Sequence, residues 1–184
     1  MWGDGLVAYN AKTGQQIFKN TEQFGFGKVA VKDGLAYYNG GIGEKAIDAT
    51  TGALVWLQSI QAANAALGNG RAYYGDTPRL DAVDAHTGHI DYALTKNRDL
   101  QYGPALANGV LYFPNPLSAY QADDGTLLWS TGANGQACAN PIVANGMVYC
   151  TDGTELYAYA IDGGKYAAYH ANAEPPSFAT LHRR

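Results

Sequence analysis

Cys138 and Cys150 are the two cysteines of the chain. In an oxidising compartment such a pair reads as a disulfide. Strand geometry points the other way. If Asn145-Gly146 is a two-residue turn, position 144 faces 147 and position 141 faces 150. Cys138 then lies three positions further on, on the opposite face of its strand. The expectation is two separate buried thiols, unless a bulge near Pro141 re-aims the strand. No Cys-x-x-Cys pair is present for metal or redox work.

The remaining reactive side chains are sparse. His86, His89, His170 and His182 are the candidates for a neutral-pH acid or base. His86 and His89 flank Thr87-Gly88, and positions equivalent to His86 hold Lys12, Thr50 and Asp123, which is the variability of exposed turn residues. His170 and His182 fall in an irregular tail. Ser59, Ser118 and Ser130 have no recognisable base nearby. Asn39-Gly-Gly-Ile-Gly43 is glycine-rich but opens no helix, so it reads as a loop between strands and not as a phosphate cradle. Asp48 and Asp84 share a column with Asn10 and Gln121, which makes them hydrogen-bonding turn residues, not an acid pair. No catalytic residue and no metal ligand is assigned.

Composition narrows the elements that carry these residues. Across 184 residues, 12 Lys+Arg stand against 16 Asp+Glu, a formal charge of −4, with no basic face for nucleic acid. Charged residues make up only 15% and apolar ones 47%, so bulk disorder is excluded. No apolar run is long enough for a membrane span, and no charged-then-apolar leader is visible. The 23 glycines and 14 tyrosines suit many short strands joined by tight turns.

Five segments repeat without internal gaps: 6–14, 44–52, 80–88, 117–125 and 156–164. Each ends on a glycine (Gly14, Gly52, Gly88, Gly125, Gly164), and these glycines are 38, 36, 37 and 39 residues apart. One column holds Ala8, Ala46, Ala82, Ala119 and Ala158. Four residues past the glycine stand Phe18, Trp56, Tyr92 and Trp129; the fifth repeat has Ala168 there, beside Tyr166 and Tyr169.

A second signal precedes the first. Asp33-Gly34, Asn69-Gly70, Asn108-Gly109 and Asn145-Gly146 each join two apolar runs, a hairpin signal because both loop residues need positive φ. Each unit therefore reads as four strands. Inner runs such as Val110–Phe113 are apolar on both faces and must be covered on both. Four short antiparallel strands every 37 residues or so, with faces that must stack, make a β-propeller blade. The alanine column lets neighbouring sheets approach, and the aromatic column fills the gap where they diverge.

Ala46-Ile-Asp-Ala-Thr-Thr-Gly-Ala-Leu-Val-Trp56 closely resembles the repeat of pyrroloquinoline-quinone-type (PQQ-like) propellers, with weaker copies near 8–18, 82–92 and 119–129. The resemblance spans roughly residues 4–169. It implies that Trp56 and Trp129 dock on the neighbouring blade, with Phe18 and Tyr92 as substitutes. It also implies an all-β chain of about four and a half blades over residues 1–169: a half blade at 4–20, then blades at 27–58, 63–95, 102–131 and 139–169. Trp2-Gly-Asp-Gly5 resembles the end of a second strand of that first, incomplete blade. The tail at 170–184 offers no completing hairpin, and Pro175-Pro176 opposes a central strand.

The chain is thus expected to be an open arc, or part of a ring of seven or eight blades. An arc exposes apolar end faces, and about 400 Å² left unburied forgoes roughly 10 kcal/mol. That favours association with missing blades, self-association or another protein partner. By resemblance the chain is extracytoplasmic and a non-catalytic binding or scaffold segment needing no cofactor. The alternative is a fragment of an alcohol or sugar quinoprotein dehydrogenase, which would use PQQ and calcium. Neither an adjacent cysteine pair nor a matching Glu/Asn/Asp ligand set is assignable here.

Overall fold

A computed structural model describes residues 5–21, 28–60, 62, 64–76, 79–95, 103–131, 138–161 and 166–169. Among these, every regular element is a strand, and all pairing is antiparallel. A two-stranded half blade comes first, β1 (Leu6–Tyr9) with β2 (Gln16–Asn20). Blade 1 comprises β3 (Ala30–Lys32), β4 (Leu35–Asn39), β5 (Glu44–Asp48) and β6 (Leu54–Gln58). Blade 2 comprises β7 (Ala65–Gly68), β8 (Arg71–Asp76), β9 (Arg79–Asp84) and β10 (Ile90–Thr95). Blade 3 holds β11 (Ala105–Ala107), β12 (Val110–Phe113), β13 (Ser118–Gln121) and β14 (Leu127–Ser130). Blade 4 holds β15 (Ala139–Ala144), β16 (Met147–Thr151), β17 (Leu156–Ala160) and β18 (Tyr166–Tyr169).

Within each four-stranded sheet the strands lie side by side in chain order. The first strands of successive blades touch in sequence, β3 to β7, β7 to β11 and β11 to β15. These are propeller blades radiating from a common axis, in an arc of sheets that does not close. Gly164 and the tail at 170–184 lie outside the described residues, as does most of Trp2–Gly5.

Turn chemistry explains the first hairpin of every blade. Asp33, Asn69, Asn108 and Asn145 have φ of 50 to 53°, and the following glycines 71 to 80°. Left-handed conformation at both loop residues matches the twist of the strands they join. The cores lie between sheets. Leu35, Tyr37 and Ala46 of blade 1 meet Ala72, Tyr74 and Val83 of blade 2, and Tyr73, Leu80 and Ala82 of blade 2 meet Leu111 and Phe113 of blade 3.

The cysteine expectation is corrected. Cys138 and Cys150 form a disulfide, with Cα atoms 5.3 Å apart. The reason is a bulge in β15: Ile142 pairs with Tyr149 but Ala139 pairs with Thr151, so three steps on one strand oppose two on the other. One extra residue inverts the side-chain parity and returns Cys138 to the face of Cys150. Asn140, within the bulge, has φ of 48°. The Cys138 N–H also donates to Asn115 Oδ1 of blade 3 at 2.9 Å, which ties blade 4 to its neighbour. Reduction is expected to lower stability by about 2–4 kcal/mol, read as a shift in urea midpoint with and without dithiothreitol.

Candidate functional site

Three surfaces compete for a role: the faces between blades, the cavity on the axis and the outer rim. The first is built from one row of residues per blade. Tyr37 pairs with Ala46 and Ala46 with Trp56. Tyr73–Ala82–Tyr92 and Tyr112–Ala119–Trp129 repeat the row. In the half blade Ala8 faces Phe18, and in blade 4 Tyr149 faces Ala158. Small alanine lets the flanking rings lean together over it: centroids lie 6.0 Å apart for Tyr37–Trp56 and 6.1 Å for Tyr112–Trp129. The tyrosine column is absent from the sequence reading. Its signal is position, since each tyrosine stands third after a hairpin glycine.

Each row points at the second turn of the next blade. Trp56 Nε1 donates to Ala85 O at 2.9 Å, and Tyr37 Oη to the same carbonyl at 3.2 Å. Tyr73 and Tyr92 Oη both donate to Ala122 O, at 3.1 and 2.8 Å, and Trp129 Nε1 to Ile161 O at 3.2 Å. Burial raises the Tyr37 and Tyr73 phenols above their ordinary range, which keeps these donors protonated. The turn glycines lie against the rings. A methyl group on Gly52 would stand 2.7 Å from the Phe18 ring, on Gly88 2.7 Å from Trp56, and on Gly125 2.8 Å from Tyr92. These glycines answer two demands, a φ of 75° and the ring pressed on them. Gly14 has the same conformation with nothing within 4 Å.

Blade 4 departs from the pattern. The irregularity that follows the aromatic pair in the other blades is missing, and β17 and β18 run in unbroken register with Ala158 opposite Ala167. Ala168 therefore falls opposite Tyr157.

The acidic turn residues hold backbone. Asp48 Oδ1 accepts from the N–H and hydroxyl groups of Thr50 and Thr51, and Asp84 Oδ1 from His86 and Thr87. Asn10 Oδ1 does the same for Lys12 and Thr13. Hydrogen bonds, chiefly from the Thr50 hydroxyl, hold the Asp48 carboxyl down at about 2. A depressed folded-state value adds stability that is present above the ordinary carboxylate range and lost as pH falls toward 2. Asp48→Asn is expected to keep the turn, as Asn10 does, while flattening acid unfolding between about pH 4 and 2. Thermal melts across that range check it.

Other singled-out residues are placed without chemistry. His86 and His89 are exposed turn residues. Ser118 and Ser130 share a hydrogen bond at 2.9 Å, and the Ser118 hydroxyl also donates to Pro116 O at 3.1 Å. The loop after Asn39 is closed by Gly40 N–H to Gly43 O, at 2.8 Å. Among the described residues no group of three acidic, His or Cys side chains is placed to hold a metal ion.

Where the first strands converge, a cavity of about 420 Å³ opens on the axis, lined by Lys28, Asn64, Pro104, Asn140 and Ile142 among others. Among the described lining residues the polar side chains are one ammonium and two amides, with no carboxylate. A calcium–quinone pair needs oxygen ligands with carboxylate charge, so this donor set does not fit one. The rim is different. Leu54, Val55 and Leu57 on β6 are 57, 44 and 40% exposed, and Leu127 and Leu128 on β14 are 54 and 48% exposed. Both strands end their sheets.

Residues 39–177 match the family model described as outer membrane protein assembly factor BamB. The chain belongs to this family. BamB from Moraxella catarrhalis superposes with a TM-score of 0.71 at 16% identity, over 89% of this chain and 60% of that one. A quinohemoprotein alcohol dehydrogenase from Pseudomonas putida HK5 reaches 0.68 at 18% identity, over 80% of this chain and 34% of its own. The computationally designed Ika8 protein reaches 0.73 at 14%, over 88% and 54%. At these identities the likeness concerns the fold. The chain spans roughly a third to three fifths of those structures' lengths. No curated protein matches it by sequence. Among the described residues no helix is long and apolar enough to cross a membrane.

Proposed function

We propose that this BamB-family chain is a protein-binding scaffold segment of an extracytoplasmic propeller, working without a cofactor of its own. The observation that carries the reading is the apolar rim. Leu54, Val55, Leu57, Leu127 and Leu128 are exposed on outermost strands, while the aromatic rows and the apolar cores between the sheets join the blades. Exposed apolar groups on sheet edges with no structural task are suited to partner contact. The described axial lining, one ammonium and two amides, is a poor donor set for calcium and supports a role without calcium-dependent quinone chemistry. The buried Cys138–Cys150 bridge supports an oxidising compartment.

The test has two arms. A photo-crosslinking residue at Val55 or Leu128 is expected to capture discrete protein partners in cells, and one at exposed Asp123 is not. Titration with pyrroloquinoline quinone and calcium is expected to leave tryptophan fluorescence unchanged. Stoichiometric quinone binding with dye reduction, or no rim-specific crosslink, would overturn the reading.

A further inference from the structure

The first hairpin is straight in three blades and broken in the fourth. β3–β4, β7–β8 and β11–β12 pair in unbroken register back from the hairpin turn. In blade 2 that register reaches Ala65 opposite Tyr74, the fourth pair from the turn. β15 and β16 follow the same path for three pairs, Ala144–Met147 to Ile142–Tyr149, and then depart from it. Straight continuation would set Pro141 against Cys150 and Asn140 against Thr151. Instead Ala139 stands opposite Thr151, and Asn140 takes up the slack at φ of 48°. Among the described residues, Asn140 is the one non-glycine residue inside a strand with positive φ.

Both features cost free energy. The extra residue leaves the ladder unpaired, and a left-handed backbone is unfavourable for a residue with a Cβ. The compensation comes from the residues just before the bulge. In the straight register Cys138 would point to the face opposite Cys150. The bulge turns it instead to the buried side shared with blade 3, where the bond closes. The Cys138 N–H contact with Asn115 Oδ1 belongs to the same register. Pro141 does not oppose the straight pairing, because β15 ends its sheet and an edge strand tolerates proline. The bulge also has an address: Asn140, Pro141 and Ile142 are blade 4's share of the axial cavity wall.

We infer that the Cys138–Cys150 bond is a redox latch on the register of β15, and through it on blade 4's side of the axial cavity. Closed, the bond holds the bulge. Opened by a dithiol, it lets β15 relax into the straight pairing of the other blades, and the cavity wall moves with it. In the opening step a thiolate of the dithiol attacks one sulfur and the S–S bond breaks. The second thiol then resolves the mixed disulfide. Two electrons and two protons pass to Cys138 and Cys150, which leave as thiols, and the dithiol leaves as a cyclic disulfide. The inference is independent of the rim reading, since it uses neither β6 nor β14.

Cross-strand NMR contacts between main-chain protons read the register directly. In the oxidised chain Ala139 is expected to contact Thr151. After dithiothreitol, those contacts are expected to pass to Asn140, whose N–H/Hα coupling moves to the extended range. Cys138→Ser/Cys150→Ser is expected to do the same without any reagent, while strand protons of blades 1 and 2 keep their positions. Ala139 remaining opposite Thr151 in either form would overturn the inference and leave Pro141 as the cause of the bulge. So would detachment of β15 from β16, or a bond that resists dithiothreitol in the folded protein.

Discussion

Replacing Trp56 with alanine is expected to cost about 3–5 kcal/mol of unfolding free energy, the range for deleting a buried aromatic. The indole is 6% exposed and closes the gap between blades 1 and 2. It lies 6.0 Å from the Tyr37 ring and 6.5 Å from Tyr74, and its N–H is satisfied at Ala85 O. Alanine would leave a cavity between two sheets that are tethered elsewhere and so cannot collapse fully. Trp129→Ala is expected to cost less, because Trp129 is half-buried. Urea unfolding followed by far-ultraviolet circular dichroism measures both. A loss below about 1 kcal/mol for Trp56, the size of a surface change, would remove its docking role.

Gly88→Ala attacks the same contact from the other side and is expected to cost about 2–5 kcal/mol. One part is conformational: at φ of 75° a Cβ costs roughly 1–2 kcal/mol. The other is steric, since that Cβ would sit 2.7 Å from Trp56 Cγ, and overpacking of this kind costs about 1–3 kcal/mol. Gly70→Ala separates the two. Its φ is 71° with nothing within 4 Å, so only the conformational cost applies. In a Trp56→Ala background the cost of Gly88→Ala is expected to fall to that of Gly70→Ala. The difference is the coupling across the blade interface. Additive costs would mean that the glycine is required by the turn alone.

The sequence made the blades readable because their turns are chemically demanding. Few residues other than Asn, Asp and Gly tolerate two consecutive left-handed conformations, so four hairpins announce themselves. The second task of Gly88 was hidden, because the conformation and the ring contact both demand glycine and leave one residue type to read. The tyrosine column was masked by abundance: tyrosine occurs in several columns, and only strand pairing shows that Tyr37, Tyr73, Tyr112 and Tyr149 all stand opposite alanine. Cys138 went wrong for a sharper reason. The bulge near Pro141 named as the exception is the one that forms, and a single extra residue inverts every parity beyond it. The axial cavity was out of reach because its walls are contributed by four separate blades.

The central physical claim is that aromatic rings of one sheet lie on turn glycines of the next, and glycine-selective proton NMR tests it most directly. Ring currents are expected to move the Hα resonances of Gly52, Gly88 and Gly125 strongly upfield. Gly34, Gly70 and Gly146, with open space above them, are expected to stay at ordinary positions. Six glycines resonating together in the unshifted range would contradict the stacking of these sheets.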